Sequence, residues 1–155
     1  MGETVYTIGH SNHSLDQLVS LLREHSITRV VDVRSVPYSR YSPQFRKTPL
    51  SSALATRDFD YQFLGDRLGG KIDCDYATRA GQDDFIAGID ELIGLARTDP
   101  TTILCAEKDP RSCHRRMLVT PALLERGVLV AHILADGSAV HDQDLDPETP
   151  QLSLF

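Results

Sequence analysis

Asp32, Glu107, Cys113 and His10 are the residues whose types could carry bond-making chemistry. Two carboxylic acids can divide acid and base duties when one holds a proton and the other stays charged, and Asp32 and Glu107 each follow an apolar run. Such a pair would also suit Mg2+, which takes one or two carboxylates plus substrate oxygens. Pairing of these acids with Arg34, Arg40 or Arg115 in a structural ion network is the alternative. Cys113 has Arg111, Arg115 and Arg116 nearby. If it opens a helix, that setting favours a thiolate and hence a nucleophile or a metal ligand; otherwise the side chain packs beneath its loop. His10, within Gly9-His10-Ser11-Asn12, either shapes a pocket with Cys113 or caps a turn. A zinc set of Cys105, Cys113, His114 and His10 lacks the tight paired spacing of structural zinc sites, so structural zinc is not expected and any metal is left unspecified.

Cys105 to Ser112, CAEKDPRS, satisfies the C-x5-R-S spacing of the phosphate-cradling loop of cysteine phosphatases and resembles rhodanese-type loops. Its contents oppose that role: Glu107 and Asp109 would repel a dianion, and Pro110 removes a backbone donor. A second polar stretch, DVRSVPYSRYSPQFRK from Asp32, sets Arg34, Arg40, Arg46 and Lys47 among Tyr38, Tyr41 and Phe45. Cations interleaved with aromatic faces suit phosphate contact plus base stacking; the plainer reading is a loop tethered by its own Arg and Tyr hydrogen bonds.

These residues must be held by a regular scaffold. Val5–Ile8 reads as a strand, and Ser14 with Gln17 makes a capping-box start for a helix whose Leu15, Leu18, Val19 and Leu22 share a face. Arg29–Val33 is a second strand, and Pro49 falls in the first turn of a short helix to Arg57. Tyr61–Leu64 is a further strand, and GDRLGGKIDCDYATRAG after it reads as an exposed connection. Phe85, Ile86, Ile89, Leu92, Ile93 and Ala96 define an amphipathic helix over 83–97. Thr101–Ala106 is a buried strand. Cys113–Arg126 is a helix that Pro121 kinks or splits, and Val128–Leu134 is the last strand. This alternation predicts an α/β three-layer sandwich, with a mainly parallel sheet of about five strands between helices. In such a sheet, ligands bind beyond the carboxyl ends of the strands, where the polar clusters after Ile8, Val33 and Ala106 fall.

The motifs TIGHSN, VVDVRSVPYSR and LCAEKDPRSCHR, agreeing in order and spacing, resemble the DUF488 family over residues 4 to 137. The resemblance implies a compact α/β protein and a site, and names no reaction.

The chain has 155 residues, 41% of them hydrophobic, enough for one core without disulfides. Residues 1–140 are expected to form that single domain, 141–150 an acidic flexible linker, and 151–155 a separate peptide. The net charge of −6 creates no global field toward nucleic acid, so any such contact must be local. Three cysteines, no membrane-length apolar run and no leader pattern suggest a soluble cytoplasmic protein. The terminal QLSLF resembles the short peptide by which bacterial polymerases and repair proteins dock on the replicative sliding clamp. That resemblance implies that Leu154 and Phe155 fill an apolar pocket, with Gln151 bonding at a second subsite and Leu152 adding contact. Packing of the same apolar residues back on the domain is the alternative.

The leading expectation is a hydrolase tethered to the clamp and acting on DNA or a nucleic-acid-derived substrate at a phosphodiester or glycosidic bond. Asp32 and Glu107 would act as acid, base or metal ligands, Cys113 and His10 would shape the pocket, and Arg34, Arg40, Arg46, Arg115 and Tyr38 would hold nucleic acid. A non-enzymatic adaptor between DNA and clamp, and a thiol-dependent small-molecule enzyme, are the alternatives.

Overall fold

The computed structural model describes residues 3–107, 109–110 and 113–145. β-Strands β1 (Thr4–Gly9), β2 (Arg29–Asp32), β3 (Asp60–Phe63), β4 (Thr101–Cys105), β5 (Leu129–Ile133) and β6 (Ala139–His141) make one sheet in the order β3-β2-β4-β1-β5-β6. All neighbours are parallel except β5 and β6, which are antiparallel. The expected mainly parallel α/β sheet is therefore present, with one more strand than anticipated. Val128–Leu134 does not end the sheet, because the Asp136-Gly137 turn, with Gly137 at φ 95°, folds β6 back along β5.

Alternate strand residues feed two cores. Ile8, Val30, Leu104 and Ile133 pack with helices α1 (Leu15–Glu24) and α2 (Lys47–Ala55) on one face. Val5, Val31, Ile103 and Val130 face the other way, onto the short α3 (Gly65–Leu68), the long α5 (Asp83–Thr98) and α6 (Thr120–Glu125). The short α4 (Tyr76–Ala80) borders that second core through Tyr76 and Ala80. The capping box of α1 forms as expected: Gln17 N donates to Ser14 Oγ, and Ser14 N donates to Gln17 Oε1.

The connection leaving β2 passes over the α2 face toward β3, while the one leaving β4 passes over the opposite face toward β5. The two diverge between adjacent strands, opening a crevice beyond the carboxyl ends of β2 and β4, where open α/β sheets bind ligands.

Residues 141–145, assigned to the linker by composition, belong to the folded unit. A 3-10 turn at Asp142–Asp144 follows β6, Leu145 is buried, and Asp142 is tied to His132 and Arg116. The rest of the expected linker and the peptide Gln151, Leu152, Leu154 and Phe155 lie outside the described residues. Among the described residues no helix is long and apolar enough to cross a membrane.

Candidate functional site

The crevice holds a cavity of about 290 Å3, lined by Arg34 and Ser35 after β2, Gly70 and Lys71 from the connection after α3, Tyr76 at the start of α4, and Cys105, Ala106, Glu107, Cys113 and His114 around β4. Cys105 ends β4; the chain loops out and returns at Cys113, just before a π-helical turn over Arg115–Val119. Thr120 Oγ1 donates to Arg115 O at 2.6 Å, supporting this wide turn where α6 begins, and Pro121 falls in the first turn of α6. The helix expected over 113–126 is thus split, as Pro121 indicated.

The turn brings Cys113 Sγ to 2.7 Å from Cys105 Sγ. His114 fixes the other side of the thiol. Its Nε2 lies 3.0 Å from the Val33 carbonyl, which can only accept, so that nitrogen carries the proton and Nδ1 is left as an acceptor 3.7 Å from Cys113 Sγ. Contact with Cys105, the His114 ring, the Arg115 backbone N–H and the Arg115 charge together outweigh burial and pull the Cys113 thiol down to about 4. Burial and the neighbouring Cys113 push Cys105 up, because a second negative sulfur beside the first is disfavoured.

Beneath the pair lies the guanidinium of Arg115, fully buried. Its Nη1 donates to Cys105 Sγ at 2.6 Å and to Glu107 O at 2.6 Å, and its Nε donates to Thr7 Oγ1 at 3.0 Å. Thr7 Oγ1 lies 2.7 Å from His132 Nδ1, and His132 Nε2 lies 2.8 Å from Asp142 Oδ1, which also accepts from Arg116 Nε. A polar chain thus crosses the sheet from the sulfurs to Asp142. Gly9 makes room for it: a Cβ there would lie 1.6 Å from Glu107 O and 2.9 Å from Arg115 Nη1. Gly70 plays the same part at the rim, where a Cβ would meet the His114 ring at 2.7 Å.

The expected carboxylate pair is not assembled. Asp32 is fully buried: Oδ1 accepts from Arg34 N and Nε, and Oδ2 accepts from Arg34 Nη2 at 2.7 Å and from Tyr61 OH at 2.6 Å. With those positions filled it takes the ion-network role weighed as its alternative. Burial and Asp32 push the Tyr61 phenol up, keeping it a donor. Glu107 is an exposed rim residue whose carbonyl serves Arg115. His10 stands away from the cavity wall. Its Nδ1 bonds Ser11 O at 2.9 Å, its ring stacks on Phe45 at 4.6 Å, and burial holds its pKa below the usual range. It is not among the residues that line the cavity with the two cysteines and His114, and among the described residues no cluster of three or more His, Cys, Asp or Glu is arranged to hold a metal.

Arg34 lines the cavity with Nη1 buried and unpartnered among the described residues. Arg115 is structural as well as electrostatic, buried where an exposed nucleic-acid contact was expected. On the loop after β2 the Arg46 guanidinium covers Tyr38 at 4.2 Å and that of Arg40 covers Tyr41 at 5.5 Å; Tyr38 and Tyr41 are 57% and 85% exposed. In the C-x5-R-S segment Cys105 is the deeply buried sulfur, and Lys108, Arg111 and Ser112 lie outside the described residues.

Residues 14–121 match the model of the family described as "Domain of unknown function DUF488". The chain belongs to the DUF488 family. The matched span contains VVDVRSVPYSR and LCAEKDPRSCHR, which supply both strand ends and both sulfurs of the cavity, while TIGHSN, residues 7–12, lies wholly ahead of it. No curated protein and no solved structure gives a significant match to this DUF488 chain. Ser35, Lys71 and Tyr76 carry no sequence signal of their own for this site, and His114, weighed only as a zinc ligand, instead lines the cavity beside Cys113. For Gly70 the Gly69-Gly70 pair was the available signal, since adjacent glycines mark a close backbone approach.

Proposed function

We propose that this DUF488 chain is a thiol-dependent enzyme in which Cys113 is the nucleophile and His114 its proton partner, transferring or hydrolysing an acyl or phosphoryl group. The observation that carries this reading is the orientation of His114, whose bond to Val33 O turns the bare Nδ1 toward Cys113 Sγ. In the reaction the thiol proton resides on Nδ1, the thiolate attacks the electrophilic centre, and His114 returns the proton to the leaving group. The oxygen that gains charge on attack lies in a cavity whose wall carries the cations Arg34 and Lys71. Water then releases the group from Cys113.

Paired p-nitrophenyl acetate and p-nitrophenyl phosphate assays test this. A burst of one p-nitrophenolate per chain, absent in Cys113→Ser and slowed about 10²- to 10⁴-fold in His114→Gln, is expected with one of the two. Equal rates for the wild-type and Cys113→Ser proteins would end the proposal.

A second reading, nucleic-acid contact by the exposed Tyr38 and Tyr41 with Arg40 and Arg46, is favoured by the cation-aromatic stacking on that loop. It is compatible with the first, because Arg34 and Ser35 open the same loop at the cavity. Docking of residues 151–155 on the sliding clamp is the accompanying proposal, and it rests on the sequence of those residues alone.

A further inference from the structure

We propose that Cys105 and Cys113 form a dithiol that reduces hydroperoxides, with Cys113 the attacking sulfur and Cys105 the resolving one. The transfer chemistry proposed above gives Cys105 no task, yet its sulfur is in contact with Cys113, opens on the same cavity and is held in place by Arg115. Two sulfurs that meet without rearrangement of the backbone, one ionised and one protonated, are what a two-step oxidation requires. Burial keeps the Cys105 proton in place, so Cys105 acts second.

In the first step the Cys113 thiolate attacks the distal oxygen of a hydroperoxide. An S–O bond forms, the O–O bond breaks, and the alkoxide leaves with the proton held on His114 Nδ1. Cys113 becomes a sulfenic acid as the peroxide becomes an alcohol. Cys105 then attacks Cys113 sulfur: the S–S bond forms, the S–O bond breaks, and the departing hydroxide takes the Cys105 proton to leave as water. A small dithiol entering the cavity restores both thiols and departs as a cyclic disulfide. The cavity volume, close to the roughly 300 Å3 lower end for ligand sites, suits reactants of that size. This inference shares the Cys113 thiolate with the proposed function and is independent of acyl or phosphoryl transfer.

The test is one equivalent of tert-butyl hydroperoxide added to the reduced full chain at neutral pH, followed by non-reducing tryptic mapping. Cleavage after Lys108 and Arg111 separates the two cysteines. Expected are loss of two hydrogens, a peptide pair joined through Cys105 and Cys113, and reversal by dithiothreitol. In Cys105→Ser, dimedone should label Cys113 instead. Oxidation of wild-type Cys113 to sulfinic acid with no link to Cys105, or a link through Cys74, would overturn the proposal, and the wild-type map decides even if Cys105→Ser fails to fold. Iodoacetamide capture of Cys113 in the reduced chain, persisting without that link, would leave the transfer reading standing and remove only this one.

Discussion

Cys113 Sγ lies 3.7 Å from His114 Nδ1, two side chains adjacent in sequence that directly precede the π-helical turn. Here the ring is pinned from outside by Val33 O, the last polar group before the loop carrying Arg34. The same turn that orients the imidazole thus links the carboxyl ends of β2 and β4, on either side of the point where their connections diverge.

Asp32 is a stability residue on this geometry. Asp32→Ala leaves Arg34 as an unpaired buried charge and should cost about 3–5 kcal/mol in urea unfolding. Tyr61→Phe, which removes one hydrogen bond to the buried carboxylate, should cost about 1.5–3 kcal/mol. A catalytic Asp32 would show the reverse, with turnover lost and the unfolding midpoint unchanged.

Stability should fall as pH drops below about 6.5. Burial lowers the pKa of His10 and of His132, so both stay neutral in the native state while the unfolded chain takes up protons at their ordinary value. The unfolded state then binds more protons, and each histidine contributes a slope of at most about 1.4 kcal/mol per pH unit until its folded pKa is passed. Urea midpoints from pH 7.5 to 5 check this. His132→Gln should flatten the profile.

The strands, the capping box of α1, the amphipathic α5 and the break at Pro121 were legible because each is a local pattern. Cys113 and Arg34 were recognisable as cavity residues from type and position alone. The fate of Asp32 was not, because it depends on the register of β3 against β2, which puts Tyr61 on the diagonal from Asp32. Lys71 and Tyr76 were missed for a similar reason: a connection of low periodicity gives no sign that two glycines let it close over Ser35 and His114. Asp136-Gly137, in contrast, is a local hairpin signal that should have extended the fold to β6.

Single-stranded nucleic acid, if it is bound, should depend on the loop after β2. Tyr41→Ala removes an exposed stacking face and should weaken binding by about 1–3 kcal/mol. Arg46→Ala should reduce the slope of log K against log salt by about 0.7, read by fluorescence anisotropy across a salt series. Unchanged binding in both variants would remove the patch from the account.

Deletion of Gln151 to Phe155 should abolish retention of the chain on an immobilised bacterial sliding clamp while leaving Cys113 reactivity intact. Equal retention of the full and shortened chains would eliminate the clamp proposal.

The pH dependence of Cys113 alkylation, followed by iodoacetamide labelling and peptide mass spectrometry, bears most directly on the nucleophile. The sulfur environment predicts a half-maximal rate at about 4 and a plateau across neutral pH. A rate that climbs only through about pH 8.5, as for an unperturbed thiol, would contradict a Cys113 nucleophile.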